Sequence, residues 1–151
     1  MAKEIMDIER CRKEFMRKVQ VDTEKISSIL KMCQIELDII SGIKITGNSA
    51  SKLAKDYYEV IKELLTALLL SHGLKSSNHE CLVSFFKANY PKFEYEAGLI
   101  HELKNIRNRV SYDGYFISSD YILKNKAEFI HIINLLVKLV KDKVPNTGQV
   151  D

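Results

Sequence analysis

Among the side chains able to do chemistry, Arg107 has the most informative placement. It stands four residues after Leu103, seven after Ile100 and three before Val110, so helical spacing turns its guanidinium toward the side of those apolar residues. An arginine keeps its charge, and burying it unpaired is costly. It must meet a carboxylate or open onto a cleft or a subunit interface. Glu59 and Glu63 are the candidate partners, because Asp56, Glu59, Glu63 and Thr66 form a polar stripe spaced three or four apart. Lys104, Asn108 and Arg109 lie within three residues of Arg107. Cations can contact phosphate, and an amide can orient it or reach a ribose. Tyr112 follows five residues after Arg107. Its phenol can donate a hydrogen bond or stack on a base, but an unperturbed pKa of about 10 makes tyrosine a poor general base at neutral pH. Lys104 and Arg109 would lower that value and Asp113 would raise it.

The other candidate chemistries are weaker. His101 lies six residues before Arg107 and points to a different side of a helix, His72 and His79 flank a loop, and His131 belongs to the last helical segment. No two histidines have HxxxH or HxxE spacing, so no metal site and no cofactor is expected. Asp56, Glu59 and Glu63 imitate part of a di-iron carboxylate set without its Glu-x-x-His partners. There is no GxxxxGK[ST] phosphate loop and no GxSxG elbow. Cys11, Cys33 and Cys81 are odd in number, widely spaced and without a CxxC pair, which reads as three reduced packing residues.

These residues must be positioned by helices. The chain has 151 residues with only two prolines and six glycines, which disfavours a turn-rich sandwich or barrel and suits one helical domain, 1–151. Ile5, Ile8, Cys11, Phe15 and Val19 predict an amphipathic helix over about 3–20. Ile26, Ile29, Leu30, Cys33, Leu37 and Ile40 predict a second, capped by Asp22 or Thr23. A loop, 41–51, separates these two helices, within 1–41, from the rest. Apolar residues surround most of the next segment, about 50–72, so that helix belongs in the middle of a bundle, with Gly73 as its stop. Ser77 and Glu80 have the form of a capping box for a short helix ended by Pro91. A helix over about 93–111, a turn at Asp113 and Gly114, and a long helix capped by Ser118 or Ser119 complete the pattern, with 145–151 as a frayed tail. The expected fold is all-α, an up-and-down helical bundle of five to six helices with no strands. The start lacks a secretory leader and no apolar run spans a bilayer, so a cytoplasmic protein without a membrane partner is expected. The net charge of +3 is too close to balance to imply nucleic-acid binding by itself.

Two stretches, DYYEVIKELLTALLLSHGLKSSNHECLVSFF (56–86) and ELKNIRNRVSYDGYF (102–116), resemble the HEPN family of helical bundles in order and spacing. The likeness covers about 50–140. The first is similar to the family's long central helix and the second to its signature helix, where an arginine followed by a polar residue precedes a histidine after a four-to-six-residue gap. Arg107 and Asn108 match the first two members, and Tyr112 stands where histidine would fall. The resemblance implies a homodimer whose signature helices face one another across a cleft. It also implies metal-independent RNA cleavage in some members, often toxins with a nucleotidyltransferase antitoxin partner, and RNA or nucleotide binding in others. In the active members arginine and histidine act on the phosphate and the ribose hydroxyl. Tyr112 in place of that histidine favours binding without strong nuclease activity. The alternatives are an endoribonuclease using Arg107 with Tyr112 or a partner-chain histidine, and a non-catalytic scaffold in which Arg107 pairs with Glu59 or Glu63.

Overall fold

A computed structural model describes residues 4–145 as an all-α bundle with one small sheet. The first helix, α1, covers Ile8–Glu14, and the Asp7 carboxylate accepts the Arg10 amide at its start. It does not continue to residue 20. Met16–Lys18 form a strand, β1, paired antiparallel with β2, Leu74–Ser76. Both the long first helix and the absence of strands are therefore corrected. Local periodicity could not reveal a backbone partner so far along the chain. The Val19 amide also bonds the Gly73 carbonyl at 2.9 Å, and Ser77 N bonds the Phe15 carbonyl at 2.9 Å, extending this contact beyond the ladder.

Helix α2, Thr23–Ser41, starts where expected, with the Asp22 carboxylate accepting the Lys25 amide. It buries Ile26, Leu30, Cys33 and Ile40 and packs on α3, Ala50–Ser71. Helix α3 is the centre of the bundle. Leu53, Ile61, Leu64, Leu65, Leu68 and Leu69 are almost wholly enclosed, each contributing about 1.5–3 kcal/mol of transfer free energy. Gly73 turns the chain after it at φ +71°.

The short helix α4 covers Glu80–Asn89. The expected capping box is not formed. The Ser77 hydroxyl donates to the Phe15 carbonyl, and the Glu80 amide is met by the Asn78 side chain. One 3₁₀ turn, Pro91–Phe93, leads into α5, Glu94–Asp113. Gly114 closes that helix at φ +65°, and α6, Ser119–Lys143, is capped by Ser118. On α6 the fully buried set includes Ile132, whereas Ile130 and Val137 are only partly covered. Of the expected frayed tail, 146–151 lie outside the described residues.

Cys11 and Cys81 form a disulfide between α1 and α4, while Cys33 is free and buried. This corrects the reading of three reduced cysteines. An odd count excludes full pairing but not one pair and one remainder. No helix among the described residues is long and apolar enough to cross a membrane.

Candidate functional site

Helix α5 has its inward face set by Ala97, Ile100 and Leu103, which pack toward α3. Arg107, one turn beyond Leu103, therefore reaches the α3 surface at Glu59. Its Nη2 donates to Glu59 Oε1 at 3.2 Å, and its Nη1 donates to Asn108 Oδ1 at 3.3 Å. The guanidinium also stands 5.9 Å from the centre of the Tyr58 ring. Its Nε is buried with no hydrogen-bond partner in the structure. With 26% of its side chain exposed, Arg107 is half-enclosed rather than sealed. Of the two carboxylates expected, Glu59 is the one engaged. It also accepts Lys62 at 2.8 Å, and Glu63 lies 3.9 Å from that lysine.

Burial pushes the Tyr58 phenol up to about 12, helped by Glu59, while Arg107 works against the rise. Tyr58 is thus a neutral wall beside the ion pair. Lys104 takes another direction. It is buried at 6% exposure, with its ammonium 3.5 Å from Glu80 on α4, so it ties α5 to α4 instead of joining Arg107. The three cations near one another in sequence therefore do not make one patch.

Arg109 is exposed, and its guanidinium lies 4.1 Å from the centre of the Tyr115 ring. The backbone explains this stack. The left-handed turn at Gly114 folds the chain back so that the Tyr115 amide bonds the Arg109 carbonyl at 3.2 Å. The following loop is pinned at Ile117, which is buried and donates its amide to Ser51 Oγ at 2.9 Å. Phe116, next to that anchor, is 82% exposed, and Tyr112 in the last turn of α5 is 77% exposed. Tyr115 and Phe116 belong to this candidate site, although neither is among the residues expected from Arg107 and its spacing to Tyr112. The signal was present in SYDGYF, where three aromatics crowd a turn that should be polar.

Two of the histidines are engaged away from this corner. His72 Nε2 is 2.8 Å from the Tyr90 hydroxyl, and burial followed by the Lys143 charge lowers its pKa. His131 Nε2 meets Glu96 at 3.3 Å, and His79 stands at the start of α4. Burial, with Glu63 and Glu36 adding to it, pushes the Cys33 thiol up to about 12, which suits an inert packing residue.

No family model matches the chain, and no solved structure matches it. It is similar to "Probable ubiquitin carboxyl-terminal hydrolase FAF" of Drosophila melanogaster, with 29% identity over 145 residues covering 91% of this chain. The chain spans 5% of the length of that relative, so the likeness is to a small segment of a far larger protein.

Proposed function

We propose that the chain is a HEPN-like module, dimeric, that binds RNA without cleaving it. The observation that carries this reading is the α5–α6 corner, where Arg109 lies on Tyr115 beside exposed Tyr112 and Phe116. Exposed aromatic faces can stack unpaired bases at about 1–3 kcal/mol per base, and the free edge of a stacked arginine still donates to phosphate. Arg107 and Asn108 precede this corner on α5, with Arg107 committed to Glu59, so their role is to hold α5 and to meet a phosphate only as a secondary contact. Cleavage is not favoured. A cation that already shares a carboxylate stabilises new phosphoryl charge less well, and the signature position carries Tyr112.

A short, fluorescently labelled single-stranded RNA tests the proposal by anisotropy across a salt series. Saturable binding that weakens with salt, and weakens about tenfold or more in Phe116→Ala and in Arg109→Ala, is the expected result, with the RNA intact on a gel afterwards. No binding at low salt overturns the RNA reading. Arg107-dependent cutting of the RNA would replace it with the endonuclease.

The Arg107–Glu59 pair specifically favours a second reading, a non-catalytic dimerisation or interaction scaffold, which also suits similarity to a small part of a much larger protein. The nucleotidyltransferase partner implied by the HEPN likeness would then dock as a protein on this surface. The hydrolase activity named for the Drosophila relative is not proposed for this chain. Its cysteines are a buried Cys33 and the disulfide-bonded Cys11 and Cys81, none of them an activated nucleophile.

A further inference from the structure

A groove of about 560 Å³ runs between α2 and α3, and no residue of the proposed RNA surface lines it. Its apolar lining is Ile29, Met32, Cys33 and Val60. The apolar strip continues past the groove along α2, since Met32 and Ile39 are two turns apart and 56% and 58% exposed, with Ile35 beside them at 43%. Exposed apolar side chains in a row on one helix mark a surface that another element covers. The strip runs about 10 Å along the α2 axis from Met32 to Ile39, at 1.5 Å per residue.

The rim is charged in one sense. Glu36, Asp56, Glu59 and Glu63 line the groove against Lys25 alone, although the whole chain is net positive. Asp56 and Glu59 have cations of their own in Lys52, Lys62 and Arg107. Glu63 has only the longer 3.9 Å contact with Lys62, so it and Glu36 are the carboxylates most open to a newcomer, and both make their charge felt at the Cys33 sulfur. We infer that this groove is a docking site for a basic amphipathic helix of a partner protein, whose apolar face would cover Met32 and Ile39 and whose lysines or arginines would meet Glu36 and Glu63. Helix-in-groove recognition uses this combination of an apolar trough and a complementary charged rim.

The probe is a labelled 18-residue peptide of leucine and lysine with its leucines on one helical face, titrated into the full-length protein. Controls are a peptide of the same composition with leucines scattered around the helix, and a leucine and glutamate version. Saturable binding of the first peptide, at least tenfold tighter than either control, is expected. Met32→Ser with Ile39→Ser should weaken it about tenfold, as should Glu36→Lys with Glu63→Lys, while Leu123→Ser, an exposed apolar residue on α6, leaves it unchanged. All of these positions are exposed, and an unchanged circular dichroism melt of each variant shows that it folds. Absence of saturable binding, equal binding of the scattered peptide, or indifference to the two double variants overturns the inference. So does a concentration-dependent dimer that Met32→Ser with Ile39→Ser dissociates, which would assign the groove to a second copy of the chain.

Discussion

Arg107 shows how a single charge can be both conspicuous in sequence and modest in energy. Its contact with Glu59 is made by one nitrogen at 3.2 Å, with 26% and 41% of the two side chains exposed, so solvent screening limits the pair. Lys62 stands ready to keep Glu59 compensated if Arg107 is removed. Arg107→Ala should therefore cost about 1 kcal/mol or a little more in urea unfolding, not the larger penalty of a sealed buried pair. A double-mutant cycle of Arg107→Ala with Glu59→Gln should give a coupling of about 0.5–1 kcal/mol. Coupling near zero would mean that Arg107 acts through Tyr58 and packing. The neighbouring Lys104 is a different case at the same scale. Three residues earlier on the helix, it is buried against Glu80, which explains why closeness in sequence misjudged these cations as one group.

At the scale of elements, α3 and α5 each end beside a left-handed glycine, Gly73 and Gly114, and the two sites differ in a measurable way. A Cβ on Gly114, at φ +65°, would meet nothing within 4 Å, so Gly114→Ala carries the backbone strain of about 1–2 kcal/mol and little else. At Gly73, φ +71°, the Cβ would lie 3.2 Å from the Val19 carbonyl oxygen, a backbone atom held in the contact beside the β1–β2 ladder. Gly73→Ala should therefore be the more destabilising by thermal melt. Gly114→Ala should in addition loosen the Arg109–Tyr115 stack, which depends on the chain reversing at that residue. Equal melts for the two variants would show that the β1–β2 end yields without cost. Helix positions 23–41, 50–71 and 94–113 were legible from apolar spacing and caps, because helices are held by near neighbours. The strand at Met16–Lys18 was not legible, because its hydrogen bonds are with Leu74–Ser76.

Over the whole molecule, the N-terminal segment is secured to the bundle by the sheet, by the Ser84 hydroxyl on the Met6 carbonyl at 2.6 Å, and by the Cys11–Cys81 disulfide. A link between residues 70 apart restricts the unfolded chain by about 4 kcal/mol on the chain-entropy account. Cys11→Ser with Cys81→Ser should lower stability by about 2–4 kcal/mol, read from urea midpoints. Thiol labelling of the denatured wild-type protein should modify one cysteine without reductant and three with it. Three labelled cysteines in both cases would show that the bond does not form in solution.

Read alone, the sequence requires a helical bundle, a centre at about 50 to 72, and an Arg107 that meets a carboxylate or opens onto a cleft or a subunit interface. Each of these follows from residue type and local spacing. Tertiary packing alone pairs Arg107 with Glu59, separates Lys104 from it, joins Cys11 to Cys81, and brings Tyr115 under Arg109 beside an exposed Phe116. Glu59 and Glu63 lie on the same stripe of α3 and are equivalent to any pattern of periodicity. Only the packing of α5 against α3 distinguishes them, and that packing depends on the shapes of two surfaces that no single stretch of sequence contains.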